Sequence, residues 1–338
     1  QQDLLQRVEI VLNENSGGGI NDALNAFFNA WGNLSTDPSD KARRDLVVTA
    51  GTNLAYLFNE RSEALTNIQL SADDRISDTV SELNGYLKQM ATYNKSISDL
   101  ESEGGNASSL RDARGSLLNE ISKLMDINYI EKDDGSLYVY MPADGKALVE
   151  GSKSWDLQVQ RNSANDNLYD ITFKDDPSEV INQHIGAGEL QGLLDVRDGA
   201  IASYLDQLDQ TAASIINKVN DIHSKGFDQD GNPGGLFFQA TSDARQMSVH
   251  ENIVQDSRKI AASATANADG NNAVALAIIR NDQMYASLGN FTTSVPGNGV
   301  SGQINNIGQA YKNSTGSIQI GRGATADSWA VTGAGNGG

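Results

Sequence analysis

No cysteine occurs in the 338 residues. Thiolate metal sites, disulfides and cysteine nucleophiles are thereby excluded together, while the redox compartment stays open. Proline is almost as scarce, with 5 residues, so long stretches carry nothing that interrupts a helix. Positive charge is short: 25 Lys and Arg stand against 44 Asp and Glu, a formal net charge of -19. That balance argues against nucleic acid or an anionic membrane as partner, because both require clustered positive charge. No apolar run approaches the roughly 20 residues that cross a bilayer, so membrane insertion is not expected. Gln1 to Asp3 lack the basic start of a secretory signal, and the absence of an initial Met fits a trimmed chain. Aromatic residues make up only 6% beside abundant Asn, Ser and Gln, which suggests extended surfaces rather than a dense enzyme core. At this length more than one domain is expected.

What is present is helical periodicity. Ile20, Ala23, Leu24, Phe27, Phe28 and Trp31 recur at steps of three and four, on one face of a helix. Asp37-Pro38-Ser39-Asp40 has the composition of a helix start, with Asp37 as capping acceptor and Pro38 at the first helical position. No proline follows until Pro142. A continuous helix from there to Ser102 would be about 95 Å long, with a break considered near Leu70-Ser71. Within it Ile76, Val80, Leu83, Leu87, Met90, Asn94 and Ile97 have coiled-coil spacing, Asn94 being the one polar member. Gly104-Gly105-Asn106 stops the helix, and Ser108 or Ser109 can cap another carrying Leu110, Ala113, Leu117, Leu118, Ile121 and Leu124.

Between Ile127 and Phe173 the period becomes two, with Leu137, Val139 and Met141 alternating against Tyr138 and Tyr140. Asp134-Gly135 and Asp144-Gly145 provide hairpin turns. Trp155 to Val159 and Tyr169 to Phe173 form a second strand pair around the polar loop Asn162 to Asn167. The helical pattern returns at Glu189, with Leu194, Ile201, Leu208, Ile215 and Ile222 seven residues apart and Leu205, Ala212 and Val219 in the second seam position. Its most economical partner is the helix ending near Ser102. The expected fold is therefore mainly α with a β insertion: an elongated, discontinuous helical bundle of 1–125 and 187–290 around a small antiparallel β domain, 126–186. A short helix is expected within Asn272 to Leu288. The Gly-rich remainder, 291–338, reads as flexible or as part of a further small β domain, with Ile318 and Ile320 as its one weak strand signal.

Chemical motifs are sparse. Asp228-Gln229-Asp230-Gly231-Asn232-Pro233-Gly234 begins like a calcium loop, with Asp228, Asp230 and Asn232 at alternate positions. The sixth position is Pro233 instead of Gly and the twelfth is Gln239 instead of Glu, which favours a turn-rich loop. His184, His223 and His250 lie in different segments without metal-ligand spacing, so surface or packing roles are expected for them. Ser16-Gly17-Gly18-Gly19 follows no strand and lacks the Lys-Ser/Thr of a phosphate loop, leaving a hinge. No Gly-x-Ser-x-Gly element occurs, and with 44 acidic residues no carboxylate pair stands out as a general acid and base. Neither catalysis nor a cofactor is implied. Heptad-spaced apolar residues alone fit a self-contained core as well as an assembly surface.

A resemblance gives these helices a use. Leu193-Leu194-Asp195-Val196-Arg197-Asp198, followed by Ile201, Leu205 and Leu208 and ending in Gly226 to Phe238 with Pro233, Gly234 and Phe237, closely resembles the hook-associated protein 1 family of the bacterial flagellum. Leu24 to Trp31 with Leu34 to Pro38 resembles that family's N-terminal half, as does Leu110-Arg111-Asp112-Ala113-Arg114 leading into Leu117 to Leu124. Lys259 to Ser263 and Asn271 to Ala277 continue it, so the similarity covers about 1–288 and fails beyond. It implies a flagellar axial-protein fold and a structural subunit of the junction ring between hook and filament. Such a subunit is secreted without a cleaved signal through the type III export channel. Its implied partners are the hook protein, the second junction protein, copies of itself, and an export chaperone that binds terminal regions. The terminal helices of the family are not evident, which makes this a core fragment. The alternatives are another axial protein, flagellin-like or hook-like, a surface adhesin or calcium-binding module using Asp228, and, ranked lowest, a hydrolase using carboxylates of the β region.

Overall fold

The structure, a computed structural model, describes residues 2–12, 18–266 and 269–281, together with the backbone of four short strands between 290 and 332. The protein is mostly helical with a small antiparallel sheet. It divides into two compact units. One contains 1–5 and 68–200, the other 6–67 and 201–338. Among the described residues no helix is long and apolar enough to cross a membrane.

The first three helices are α1 (Gln2–Leu12), α2 (Ile20–Thr36) and α3 (Lys41–Ser102). The 62 residues of α3 are uninterrupted through Leu70-Ser71, so the considered break is absent, and its two parts belong to different units. Its start differs from the expectation. Asp37 closes α2, and its carboxylate accepts from Ser39 N–H and Oγ in a local turn. The capping acceptor is Asp40, whose Oδ1 takes the N–H groups of Ala42 at 2.7 Å and Arg43 at 3.3 Å. The turn after Pro38 thus spends three residues before helical hydrogen bonding begins.

In the first unit α4 (Ser108–Leu124) is preceded by Ala107, and Asn106 Oδ1, not a serine hydroxyl, accepts from Ser108 N–H. Six strands follow: β1 (Asn128–Glu131), β2 (Leu137–Tyr140), β3 (Ala147–Glu150), β4 (Lys153–Ser154), β5 (Leu157–Asn162) and β6 (Leu168–Phe173). The first four form an antiparallel sheet in sequence order, and β5 and β6 form a separate hairpin. The period-two reading holds. Leu137 and Val139 are buried, Tyr138 and Tyr140 half-buried, and the tight turns place Gly135 and Gly145 at positive φ. The seam residues Ile76, Val80, Leu83, Leu87, Met90 and Ile97 are buried, as are Ile121 of α4 and Val139, Leu148 and Val149 of the sheet.

The second long helical pattern is not one regular helix. Helix α5 (Gly188–Leu194) passes into a π-helical stretch, Asp195–Ile201, and then into α6 (Ala202–His223). On α6 the buried residues are Tyr204, Leu208, Thr211, Ala212, Ile215, Ile216, Val219, Asn220 and His223, whereas Leu205 and Ile222 are only half-buried. This is the broad stripe of a straight 3.6-residue helix, and it replaces the narrow heptad seam expected from 194 to 222. The second unit also holds α7 (Glu251–Gln255) and α8 (Asn271–Ala277). The short helix expected within Asn272 to Leu288 is α8, followed by a 3-10 turn, Ile278–Asn281; 282–289 lie outside the described residues. In the Gly-rich remainder β7 (Asn290–Ser294) pairs with β8 (Ser301–Asn305) and β9 (Gln319–Arg322) with β10 (Trp329–Thr332), both antiparallel. Ile320 lies on β9; Ile318 is outside the described residues.

Candidate functional site

Three polar side chains on α3, roughly three helical turns apart, grip the backbone of the β region. Asn94 is fully buried. Its Nδ2 donates to Leu137 O at 2.8 Å and its Oδ1 accepts from Leu137 N–H at 2.9 Å, so one amide satisfies both backbone groups of a strand residue. Asn84 repeats the arrangement on Leu157, with 2.7 and 2.8 Å. Asp73 accepts from Tyr169 N–H at 2.8 Å. Strands β2, β5 and β6 are thus each tied to the helix through a backbone amide, which satisfies peptide groups that would otherwise lack a partner at those positions.

Each end of this ladder is completed by an arginine. At one end the π-helical stretch buries Arg197 completely. Its Nη1 donates to Asp73 Oδ1 at 2.7 Å and to Tyr169 O at 2.7 Å, and Nε and Nη2 form a two-pronged pair with Asp198 at 2.6 and 2.7 Å. Asp73 and Arg197 together therefore do for Tyr169 what a single asparagine does for Leu137 and Leu157. Asp73 Oδ2 also receives Arg161, whose guanidinium lies 3.6 Å from the centre of the Tyr169 ring. Burial opposes the charge on Arg197, but Asp198 and Asp73 outweigh it and hold the pKa above its ordinary value. At the other end Arg114 donates to Asn94 Oδ1 at 3.1 Å and Gly135 O at 2.6 Å, while Arg111 pairs with Glu101 and Glu131.

The second unit is centred on rings. Phe27, Phe28 and Trp31 of α2 meet Phe237 and Phe238 with centroid separations of 4.8 to 6.2 Å, mostly edge to face. Gly51 of α3 permits this packing, since a Cβ there would stand 2.9 Å from Phe237 and 3.2 Å from Phe27. Asn220 anchors the Phe pair by accepting both their N–H groups and donating to Phe238 O at 2.9 Å. His223 is fully buried: Nε2 accepts from Ala261 N–H at 2.8 Å, so Nδ1 carries the proton and donates to Gly235 O at 2.7 Å. Burial pushes its pKa down to about 4, against the pull of the Gly235 hydrogen bond. Gly234 passes where a Cβ would fall on the His223 carbonyl oxygen. Arg44, also buried, gathers the carbonyls of Pro38, Ser257, Arg258 and Ile260.

Of the residues singled out in the sequence, Arg114, Leu194, Ile201, Leu208, Phe27, Phe28, Trp31 and Phe237 are buried. Asp195 is half-buried and accepts from Gln191 Nε2, and burial raises its pKa. Asp112 and Pro233 are exposed. In the calcium-like loop, Asp228 accepts from the N–H groups of Asp230 and Asn232, and Lys259 Nζ stands 3.3 Å from Asp228 and 3.7 Å from Asp230. An ammonium and two backbone amides thus occupy those carboxylates. Asp73, Asn84, Asn220 and Arg44 were not read from the sequence; only Asn94 carried a signal, as a polar residue in an apolar seam. Nor did spacing show that Asp144, Glu179 and His184 lie together, each offering a ligand atom within 4.8 Å of the others.

The segment that carries these clamps and rings matches a known family. Residues 5–238 fit the one described as flagellar hook-associated protein FlgK helical domain. The chain belongs to the FlgK helical-domain family. Flagellar hook-associated protein 1 of Salmonella typhimurium (strain LT2) is 27% identical over 243 residues, covering 70% of this chain and 44% of that protein. The Bacillus subtilis (strain 168) protein of that name is 27% identical over 260 residues, covering 70% and 51%. The solved structure of the flagellar hook junction protein FlgK from Burkholderia pseudomallei has a TM-score of 0.65 at 23% identity, over 70% of this chain and 43% of that one, and shows the same fold. The chain spans about half the length of the curated relatives it matches. The FlgK helical-domain match includes the whole ladder on α3 and both arginine ends, and it closes on the Phe237-Phe238 pair.

Proposed function

We propose that this chain is the helical core of a structural, non-catalytic subunit that joins the flagellar hook to its filament. The observation that carries this reading is the family match across both helical segments and the β region between them, 5–238. The site chemistry supports it: the conspicuous buried polar groups are spent on backbone amides and ion pairs, which favours a rigid building block over turnover. In this reading the protein is exported through the flagellar channel and assembles outside the cell as a ring. Its neighbours are the hook protein, the second junction protein and further copies of itself, and a chaperone serves the terminal regions of the full-length protein. Segment 126–186 serves as an insertion in a bundle formed by 1–125 and 187–290. Antibody raised against this chain and coupled to gold is expected to mark the boundary of hook and filament in isolated flagella. Labelling distributed along the filament, or confined to the hook, would favour a flagellin-like or hook-like role instead.

A further inference from the structure

His184 enters a mixed cluster that the structural role does not use. We propose that Asp144, Glu179 and His184 form a binding site for a zinc-like divalent cation, fastening the β2–β3 turn to the segment after β6. Asp144 is pre-positioned, because its Oδ1 accepts the N–H of Lys146 at 3.0 Å and its Oδ2 is left facing His184 Nδ1 at 3.0 Å. That nitrogen is sealed from solvent and makes no aligned hydrogen bond, although the carboxylate oxygen is so near. Two ligand atoms on a tetrahedral ion with bonds of about 2.0 to 2.1 Å stand roughly 3.3 Å apart, close to this separation. Glu179 supplies the third donor, all three ligand atoms lying within 4.8 Å of one another. The set is one imidazole nitrogen and two carboxylates. It suits zinc better than magnesium or calcium, which take oxygen donors.

Lys146 now balances the cluster. Its Nζ pairs with Glu179 and lies 4.0 Å from Asp144, against the Phe173 ring. An ammonium brings one charge and can at most donate a hydrogen bond to a nitrogen lone pair, whereas the ion brings two charges and coordinates that lone pair directly. Its side chain is about one-third exposed on a flexible stem, so displacement returns the ammonium to water. Binding is therefore an exchange of Lys146 for the ion.

The test is calorimetric titration and thermal scanning of the metal-free chain with zinc chloride, then with magnesium and calcium chloride. Zinc is expected to bind once per chain and raise Tm, with magnesium and calcium silent. His184→Ala should weaken zinc at least tenfold, comparing the loss of a ligand with the 10–100-fold effects of outer-shell changes. Lys146→Met retains all three donors and should tighten it. The proposal is overturned if zinc gives neither heat nor a Tm shift at millimolar concentration with the wild type and Lys146→Met. It is equally overturned if His184→Ala, folded by circular dichroism, binds as the wild type does.

Discussion

Arg197 and Asp73 are 124 residues apart in sequence and both almost fully buried, so their pairing, with Asp198 and Arg161 beside it, compensates both for leaving water. Removing Arg197 leaves buried Asp73 with only Arg161 as a charged partner and leaves Tyr169 O without its donor. Arg197→Met is expected to cost about 3 to 5 kcal/mol, the range for breaking a buried ion pair, and Arg197→Lys less, since it keeps the charge but loses the two-pronged hold on Asp198. Urea denaturation followed by circular dichroism would measure both. His223 gives a pH signature of definite sign. Its imidazole titrates near 6.5 when unfolded and at about 4 in the fold, so the unfolded chain binds a proton that the folded chain refuses. Stability is lost as pH falls from 6.5 to about 4, and this group contributes no further change outside that window. The gap corresponds to about 3 kcal/mol. The stability difference between wild type and His223→Gln should shrink by that amount between pH 7.5 and 4. At this scale the sequence was only partly legible. Arg197 and Asp198 stood out through a resemblance, whereas Asp73 and Asn84 look like any exposed helix residue until the strand they hold is in place.

At the scale of elements, α3, the alternating strand at Leu137 to Met141 with its two Asp-Gly turns, and the pair β5 and β6 were legible because periodicity and turn residues are local properties; the two-residue β4 is too short to show a period. The π-helical stretch was not, since Asp195-Val196-Arg197-Asp198 continues an apolar pattern that a regular helix would also satisfy. Its widened turn accompanies the complete burial of Arg197. The start of α3 was misplaced by three residues because Asp37-Pro38 and Asp40 carry the same capping chemistry, and only the turn geometry decides between them. Asn84→Ala and Asn94→Ala each leave the N–H and C=O of one strand residue unpaired. A cost of about 1 to 3 kcal/mol per buried group is expected. The two rungs are about 15 Å apart along the helix, so the losses should add. Hydrogen exchange would separate them: Asn94→Ala raises exchange in β2, and Asn84→Ala in β5. Gly51→Leu tests the ring cluster from the other side. Its side chain has no room beside Phe237 and Phe27, and overpacking of about 1 to 3 kcal/mol or more is expected in thermal unfolding.

At the scale of the whole molecule, the chain contains two units built on different principles, one locked by helix-to-strand polar clamps and one by mostly edge-to-face rings around a neutral histidine. Exchange measurements on Arg197→Met should accordingly show the larger loss of protection in 68–200. The sequence already carried the mainly helical character and the β region between helical segments. It could not draw the division within α3, because a helix that serves two cores shows one unbroken pattern. The proposed role as a subunit joining hook to filament is tested by electron microscopy of cells lacking the full-length gene, with and without complementation by the wild type. Hooks without filaments are expected in the deletion strain, and restored filaments on complementation. Filaments joined to hooks at the wild-type frequency in the deletion strain would contradict that role.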